Sequence, residues 1–452
     1  MKIYKIKTKT ALSRWTYFSR MIRGAIGAPL SDGLTTALLL VVFMGGCKEE
    51  VVEREVQFSV RAPKAVPVHR RVRETFPLRN YVFFEAGSSK IPSRYVTLTK
   101  SQAASFKEEQ LQKVQPKGMA LRSLRQMTVY YNILNIIGDR MKRSPRTIIS
   151  LSGASEKEPE FGKARAETIK RYLVDVFGIN GSRITTEGRD KPRIPSVVDG
   201  ATKELALLRA GDRRVDIESS SPELMMQVGG GPHYTLKPVK IVVVVEDPLD
   251  SHVIFNVVGA REVLVSWSLE ITDELGNVQR FGPSTRDQES ISGNTILGDH
   301  PQGDYKFVML GQTKGGKSVR EESSVHLVRR EEPIKDAVRF SILFDFDQSK
   351  TVASYATFLT DIVTPLIPDS GLVLIHGHTD IIGDEVYNDS LSSQRVQDAR
   401  TIIERTISSS GKKGITFETF AYGENLQFAP FDNFFPEERF YNRTVIIDIV
   451  PN

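Results

Sequence analysis

Apolar residues run through this chain in two rhythms, one suited to helices alternating with strands and one to strands alone. Over the last quarter, pattern and stop signals predict seven elements in strand–helix alternation. Strand Arg339 to Phe346 leads into a helix near Val352 to Val363, closed by Pro365 and Pro368. Strand Leu372 to Ile375 and a helix from Asp389 to Ser408 follow. Strand Ile415 to Ala421, a short helix near Pro436 to Phe440 and strand Thr444 to Val450 complete the set. Helices on one face of a mixed sheet make an α+β sandwich.

Residues 233 to 332 have the second rhythm. A valine-rich run (Ile241 to Val245), alternation from Val263 to Thr272, the turn Glu274 to Asn277 and the segment Gly303 to Val308 all signal short strands. Spacing and length suit a seven-stranded, immunoglobulin-like all-β sandwich held by burial alone, with Trp267 in its core. A Gly-rich linker, residues 221 to 232, precedes it. At 452 residues, two to four domains are expected.

Residues 371 to 400 carry the most chemistry. The strand Leu372 to Ile375 runs into a Gly-His-Thr-Asp turn, Gly377 to Asp380, and Asn388, Leu391, Ser392 and Arg395 enter the next helix. A carboxylate and a guanidinium on neighbouring elements can grip a small zwitterion, one on its ammonium and the other on its carboxylate. Around this pair stand Phe344-Asp345-Phe346-Asp347, Leu391-Ser392-x-x-Arg395, Tyr422-Gly423-Glu424 and Asn442-Arg443 before a last apolar strand. Together they resemble the OmpA C-terminal domain family, which includes peptidoglycan-associated lipoproteins and the periplasmic parts of MotB-type stators. The likeness covers about residues 338 to 450, with Val396 and Thr444 off the family pattern. It implies non-covalent binding of peptidoglycan through diaminopimelate, with Asp380 on the ammonium and Arg395 on the carboxylate. Phe346, Asp347, Thr379, Asn388, Leu391 and Arg443 belong to the same implied site. Thr379 and Asn388 can equally be ordinary loop formers. Asn442-Arg443 either supports the loop or points to glycan.

Residues 76 to 220 lay over this domain as a degenerate copy. Phe84-Glu85-Ala86-Gly87 matches Phe344 to Asp347, and a helical stretch Leu121 to Lys142 precedes strand Thr147 to Leu151. Glu156 falls at the Asp380 position and Arg165 at the Arg395 position, with a helix ending at Phe177 before Gly178. Asp212-Arg213-Arg214-Val215 matches Asn442 to Val445. Acid and base are nine residues apart here against fifteen later, so loss of wall binding and a spacer or partner role are expected. The fold class is therefore multidomain, two α+β OmpA-like sandwiches (76 to 220 and 333 to 452) flanking the immunoglobulin-like one.

Charge and cysteine alter the picture only at the start of the chain. The net charge of +6 and pI near 9.1 come from residues 1 to 46, since the remainder holds 54 basic and 54 acidic residues. Nothing points to nucleic acid. Basic residues, an apolar run from Leu34 to Met44 too short to span a bilayer, and Gly45-Gly46-Cys47 resemble a lipoprotein signal, with Cys47 as the lipidated residue. A plain signal peptide with an incidental thiol is the alternative, and Met21 is a second possible start. Lys48 after the cysteine favours the outer membrane, the protein facing the periplasm. Residues 47 to 75 read as a tether, with room for one added strand.

Enzyme signatures are lacking: there is no nucleophile elbow, HExxH or phosphate loop, and no cofactor is expected. His376 and His378 flank Gly377 without a third ligand at a metal-binding spacing, so no metal is expected either. The expected function is an outer-membrane lipoprotein that tethers the membrane to the wall. A periplasmic scaffold recruiting envelope proteins, with wall binding secondary, is the alternative.

Overall fold

The computed structural model describes residues 56–112, 122–197, 204–228, 231–330, 336–344 and 355–451. Cys47, Phe346 and Asp347 lie outside the described residues. The chain divides into two compact units, one containing Val66 and Ser251–Arg329, the other Pro67–Asp250 and Arg330 onward. Among the described residues no helix is long and apolar enough to cross a membrane.

The first unit is a two-sheet β-sandwich. One sheet has Gln57–Arg61, His252–Val258 and Gln288–Ser292, all antiparallel. The other runs Val278–Ser284, Leu264–Asp273, Gln302–Thr313, Ser318–Arg330, with a two-residue bridge at Val66–Pro67. Inward residues of both sheets share one core that includes Phe255, Trp267, Leu269 and Phe307. Trp267 is buried, and its indole N–H donates to the Arg286 carbonyl at 2.7 Å, so its one polar atom is satisfied.

Two boundaries differ from expectation. The valine-rich strand Gly231–Glu246, expected in the sandwich, pairs antiparallel with His69–Arg79 in the second unit. The expected tether is structured over its described part, since Gln57–Arg61 and His69–Arg79 both join sheets. Period-two alternation marks a strand but carries no information about which partner it meets.

The second unit holds two α+β modules. The C-terminal module's sheet runs Thr416–Gly423, Leu372–His378, Thr444–Val450, Ala337–Leu343, and is extended by His69–Arg79, Gly231–Glu246 and Met225–Val228. Leu372–His378 is parallel to Thr416–Gly423 and antiparallel to Thr444–Val450. Every residue of Thr444–Val450 is buried, as a central strand covered on both faces requires. Helix Glu385–Ser410 covers this sheet, capped by the Asp384 carboxylate accepting from the Val386 N–H at 3.0 Å. Its core side, Val396, Ala399, Ile403 and Ile407, packs with Phe340, Val373, Ile375 and Ile447. The expected helix near Val352 to Val363 is, over its described part, one α turn, Ala356–Phe358, followed by π and 3-10 turns to Leu366.

In the first module Tyr81–Phe83, Arg214–Glu218, Ile149–Ala154 and Ile184–Arg189 are hydrogen-bonded in that order. The directions of pairing repeat those of Ala337–Leu343, Thr444–Val450, Leu372–His378 and Thr416–Gly423. Helix Pro159–Phe177 ends at Gly178 with φ 70°, a left-handed cap suited to glycine. The single helix expected from Leu121 is two, Arg122–Tyr130 and Ile133–Arg143. At the break the Asn132 amide turns back to the Thr128 carbonyl at 2.9 Å.

An aromatic seam joins these modules. Phe440, on helix Pro436–Asn442, packs 5.3 Å from Tyr81 and 5.2 Å from Phe83. Tyr441 stacks on Phe76 at 5.0 Å and donates its hydroxyl to the Pro77 carbonyl at 3.1 Å. Glu437, fully buried beside them, accepts from Arg94. Phe440→Ala is expected to destabilise this unit by about 3–5 kcal/mol, read as a lowered midpoint in urea unfolding followed by circular dichroism.

Candidate ligand-binding site

The site begins where the strand Leu372–His378 runs out against a helix. A Cβ on Gly377 would lie 2.7 Å from the Ser392 carbonyl oxygen and 2.6 Å from Val396, so only glycine permits this approach. The next turn is fixed by Thr379, whose N–H donates to the Gly423 carbonyl at 2.8 Å. Ser392 ties helix to neighbouring strand, its hydroxyl accepting from the Gly423 N–H at 3.1 Å and donating to the Asp389 carbonyl at 2.9 Å.

Asp380 and Arg395 are both buried, 2% and 1% exposed. One Asp380 oxygen accepts from Arg443 Nη1 at 2.7 Å, and the other takes a long contact, 3.4 Å, from the Ile382 N–H. Arg443 also donates from Nε to the Phe344 carbonyl at 3.3 Å and lies 3.8 Å over the Phe440 ring. Arg395 lies 4.2 Å over the Phe344 ring, a cation–π placement in dry surroundings. Burial lowers the Arg443 pKa, while Asp380 pulls it back up.

Asn388 sits as a clasp for the loop. Its amide donates to Glu424 at 2.6 Å, to the Ile382 carbonyl at 3.2 Å and to the Asp380 carbonyl at 3.4 Å. Burial pushes the Glu424 carboxyl up, Asn388 opposes this, and Glu385, Glu204 and Asp389 add to the rise. Leu391 is buried on the same helix. Arg443, left between loop support and glycan, bonds the acid itself, while Glu424 belonged to a motif but had no assigned role.

The two histidines belong to a buried chain. His376 and His378 lie with ring nitrogens 2.8 Å apart, and His376 reaches Asp448 at 3.6 Å. Asp448 pairs with Arg339 across the sheet. Burial alone would raise the Asp448 carboxyl, but Arg339 and His376 hold it well below the usual range. Among the described residues no group of three His, Cys, Asp or Glu is placed to hold a metal.

In the first module the matching residues are placed otherwise. Glu156 pairs with Arg209 at 3.0 Å. Arg165 is buried and donates to three carbonyls, of Ala154 at 2.8 Å, Ser88 at 3.1 Å and Glu85 at 3.4 Å. Burial, with Arg213 adding and Glu158 opposing, lowers its pKa to about 10. Acid and base thus face different neighbours here.

No protein-family model matches the chain. Over 115 residues it is 32% identical to outer membrane porin F of Pseudomonas aeruginosa, across 25% of this chain and 31% of the porin. The chain thus spans about a third of that relative's length. Among solved structures, it is similar to the periplasmic domain of Helicobacter pylori MotB, residues 97–256 (18% identity, 25% of this chain, 82% of that chain, TM-score 0.19). It is also similar to the cell wall anchor of the T6SS from Pseudomonas aeruginosa (22% identity, 25% of this chain, 80% of that chain, TM-score 0.18).

Two outcomes follow from this geometry. Arg443→Ala leaves Asp380 as an uncompensated buried charge, at an expected cost of about 3–5 kcal/mol in denaturant unfolding, part of which Asp380→Asn should restore in the double variant. Glu424 has a raised pKa, so its contribution favours folding at low pH and is lost as pH rises through the folded value. Glu424→Gln is therefore expected to raise the melting temperature more at pH 8 than at pH 4.

Proposed function

We propose that the C-terminal module binds peptidoglycan non-covalently through diaminopimelate, and that lipidation at Cys47 makes the chain a tether between outer membrane and wall. The observation that supports this reading is how the two charges are linked. Arg443 bonds both the Asp380 carboxylate and the Phe344 carbonyl, and Arg395 lies over the Phe344 ring. Acid and base are thus held around one residue, at the end of one strand.

In this reading the ligand ammonium meets Asp380 and its carboxylate meets Arg395. Both side chains are buried, so in this reading the turn from Thr379 to Asp384 moves outward to admit the ligand. The role is binding only, with no turnover, and many weak contacts along a repetitive polymer gain strength by multivalency. Stable anchoring at Cys47 requires more than one acyl chain. The first module is read as a second copy whose acid and base have been turned to structural contacts, and the sandwich as an immunoglobulin-like spacer in the periplasm.

The test is co-sedimentation of the full chain with purified sacculi. Asp380→Asn and Arg395→Gln each remove one charge-assisted contact, about 1.5–3 kcal/mol, which converts to roughly ten- to a hundredfold weaker retention. Wild-type retention by both variants, with unchanged melting curves, would sink the clamp.

A further inference from the structure

The first module carries an arginine in the place of Arg443 but without its acid. The Phe84 N–H donates to the Arg213 carbonyl at 2.8 Å, as the Phe344 N–H donates to that of Arg443 at 2.8 Å. On the facing turns, Ser155 donates to the Arg189 carbonyl at 3.0 Å and Thr379 to that of Gly423 at 2.8 Å. Arg213 and Arg443 therefore hold matching positions, and so do Glu156 and Asp380, the residues after Ser155 and Thr379.

What differs is the carboxylate. Asp380 turns inward onto Arg443, whereas Glu156, one methylene longer, turns away onto Arg209. Among the described residues Arg213 makes no side-chain hydrogen bond or ion pair, and its Nε is buried. The acid nearest in effect is Glu85, whose carboxylate is already bonded to Arg94. Burial lowers the Arg213 pKa, Glu85 opposes this, and Arg209 adds to it.

Space stands where the acid would be. Arg213 lines a cavity of about 410 Å³ together with Glu156, Glu158, Phe161, Arg165 and Arg209. That volume falls in the ~300–1,000 Å³ range of small-molecule sites. Arg165 is committed to three backbone carbonyls and Arg209 to Glu156. Asp212, also on the wall, accepts from the N–H groups of Ser196 at 2.6 Å and Val197 at 3.1 Å. Arg213 is thus the arginine of this wall left to meet an anion, while Phe161 offers an apolar surface and Glu158 an acceptor for amide N–H groups.

We propose that this cavity binds a short peptide by its terminal carboxylate, which takes towards Arg213 the place that the Asp380 side chain takes towards Arg443. In the C-terminal module the chain supplies the acid itself; in the first module the ligand supplies it. This does not depend on diaminopimelate binding at Asp380 and Arg395.

The experiment uses the full chain carrying Arg395→Gln, so that the C-terminal site is silenced, and titrates N-acetylglycylglycine by calorimetry. One saturable site is expected, with no binding of N-acetylglycylglycinamide, which lacks the carboxylate. Arg213→Gln should weaken the peptide at least tenfold with an unchanged melting temperature. If Arg213→Gln does not fold, Arg213→Lys carries the test, with a several-fold loss expected because the fork geometry is gone. Equal affinity of either variant, equal binding of the amide, or inorganic phosphate binding as tightly as the peptide each overturns the proposal. N-acetyl-D-alanyl-D-alanine and its L,L isomer then separate the two sources of such an end, since a preference for the D,D form indicates a wall peptide and for the L,L form a protein terminus.

Discussion

A buried guanidinium has to be neutralised and hydrogen-bonded, and in the C-terminal module that requirement falls on Arg443. Leaving such a charge uncompensated costs several kcal/mol, so its partners are fixed along with it. Those partners are the Asp380 carboxylate, the Phe344 carbonyl and the face of Phe440. Through the first two, Arg443 shapes the candidate site. Through the third it reaches the seam, because Phe440 packs on Tyr81 and Phe83 of the first module. One side chain thus couples the turn of the candidate site to the joint between two modules.

The two modules meet the same backbone constraint and differ in what they build on it. Gly377 allows its strand to touch the helix at Ser392, and Gly153 does the same against Gly162, where a Cβ would lie 1.9 Å from the carbonyl oxygen. In both, the helix arginine three residues further on is buried beside an aromatic ring, Arg395 over Phe344 and Arg165 over Phe84. The divergence lies in side-chain reach. Asp380 is short enough to stay on its own turn and bond Arg443, while Glu156 extends to Arg209 on the later helix Leu205–Asp212. A single methylene, with a shorter loop, redistributes the charges of the whole site.

Local pattern located the elements of the C-terminal module well. Strand Thr444–Val450 has the bounds its apolar run suggests, and in the first module Gly178 ends its helix as a left-handed cap. The helix after the turn starts earlier than expected, at Glu385, because Asp384 caps it ahead of the apolar period. What local pattern could not specify was partnership. The strand Gly231–Glu246 reads as β wherever it goes, and its pairing with His69–Arg79 is set by surfaces more than 150 residues away in sequence. The same holds for the site: the acid and base were visible in the motif, but the partner of Asp380 lies 63 residues on.

That partnership bears on what Asp380 can offer. A carboxylate has two oxygens and about four lone-pair directions, and Arg443 occupies one oxygen at 2.7 Å. Among the described residues the other meets a long contact from the Ile382 N–H at 3.4 Å, which leaves it acceptor capacity. Arg443 lessens the net negative charge a ligand would meet, which weakens long-range attraction while keeping the direction of a hydrogen bond. Recognition at such a site is then governed by geometry more than by Coulomb steering. The sheet favours this, since Gly377 and Thr379 fix the turn through the backbone and Ser392 through a short, buried hydroxyl. In the proposed clamp, the separation of Asp380 and Arg395 sets which zwitterions span it once the turn carrying Asp380 has closed on the ligand.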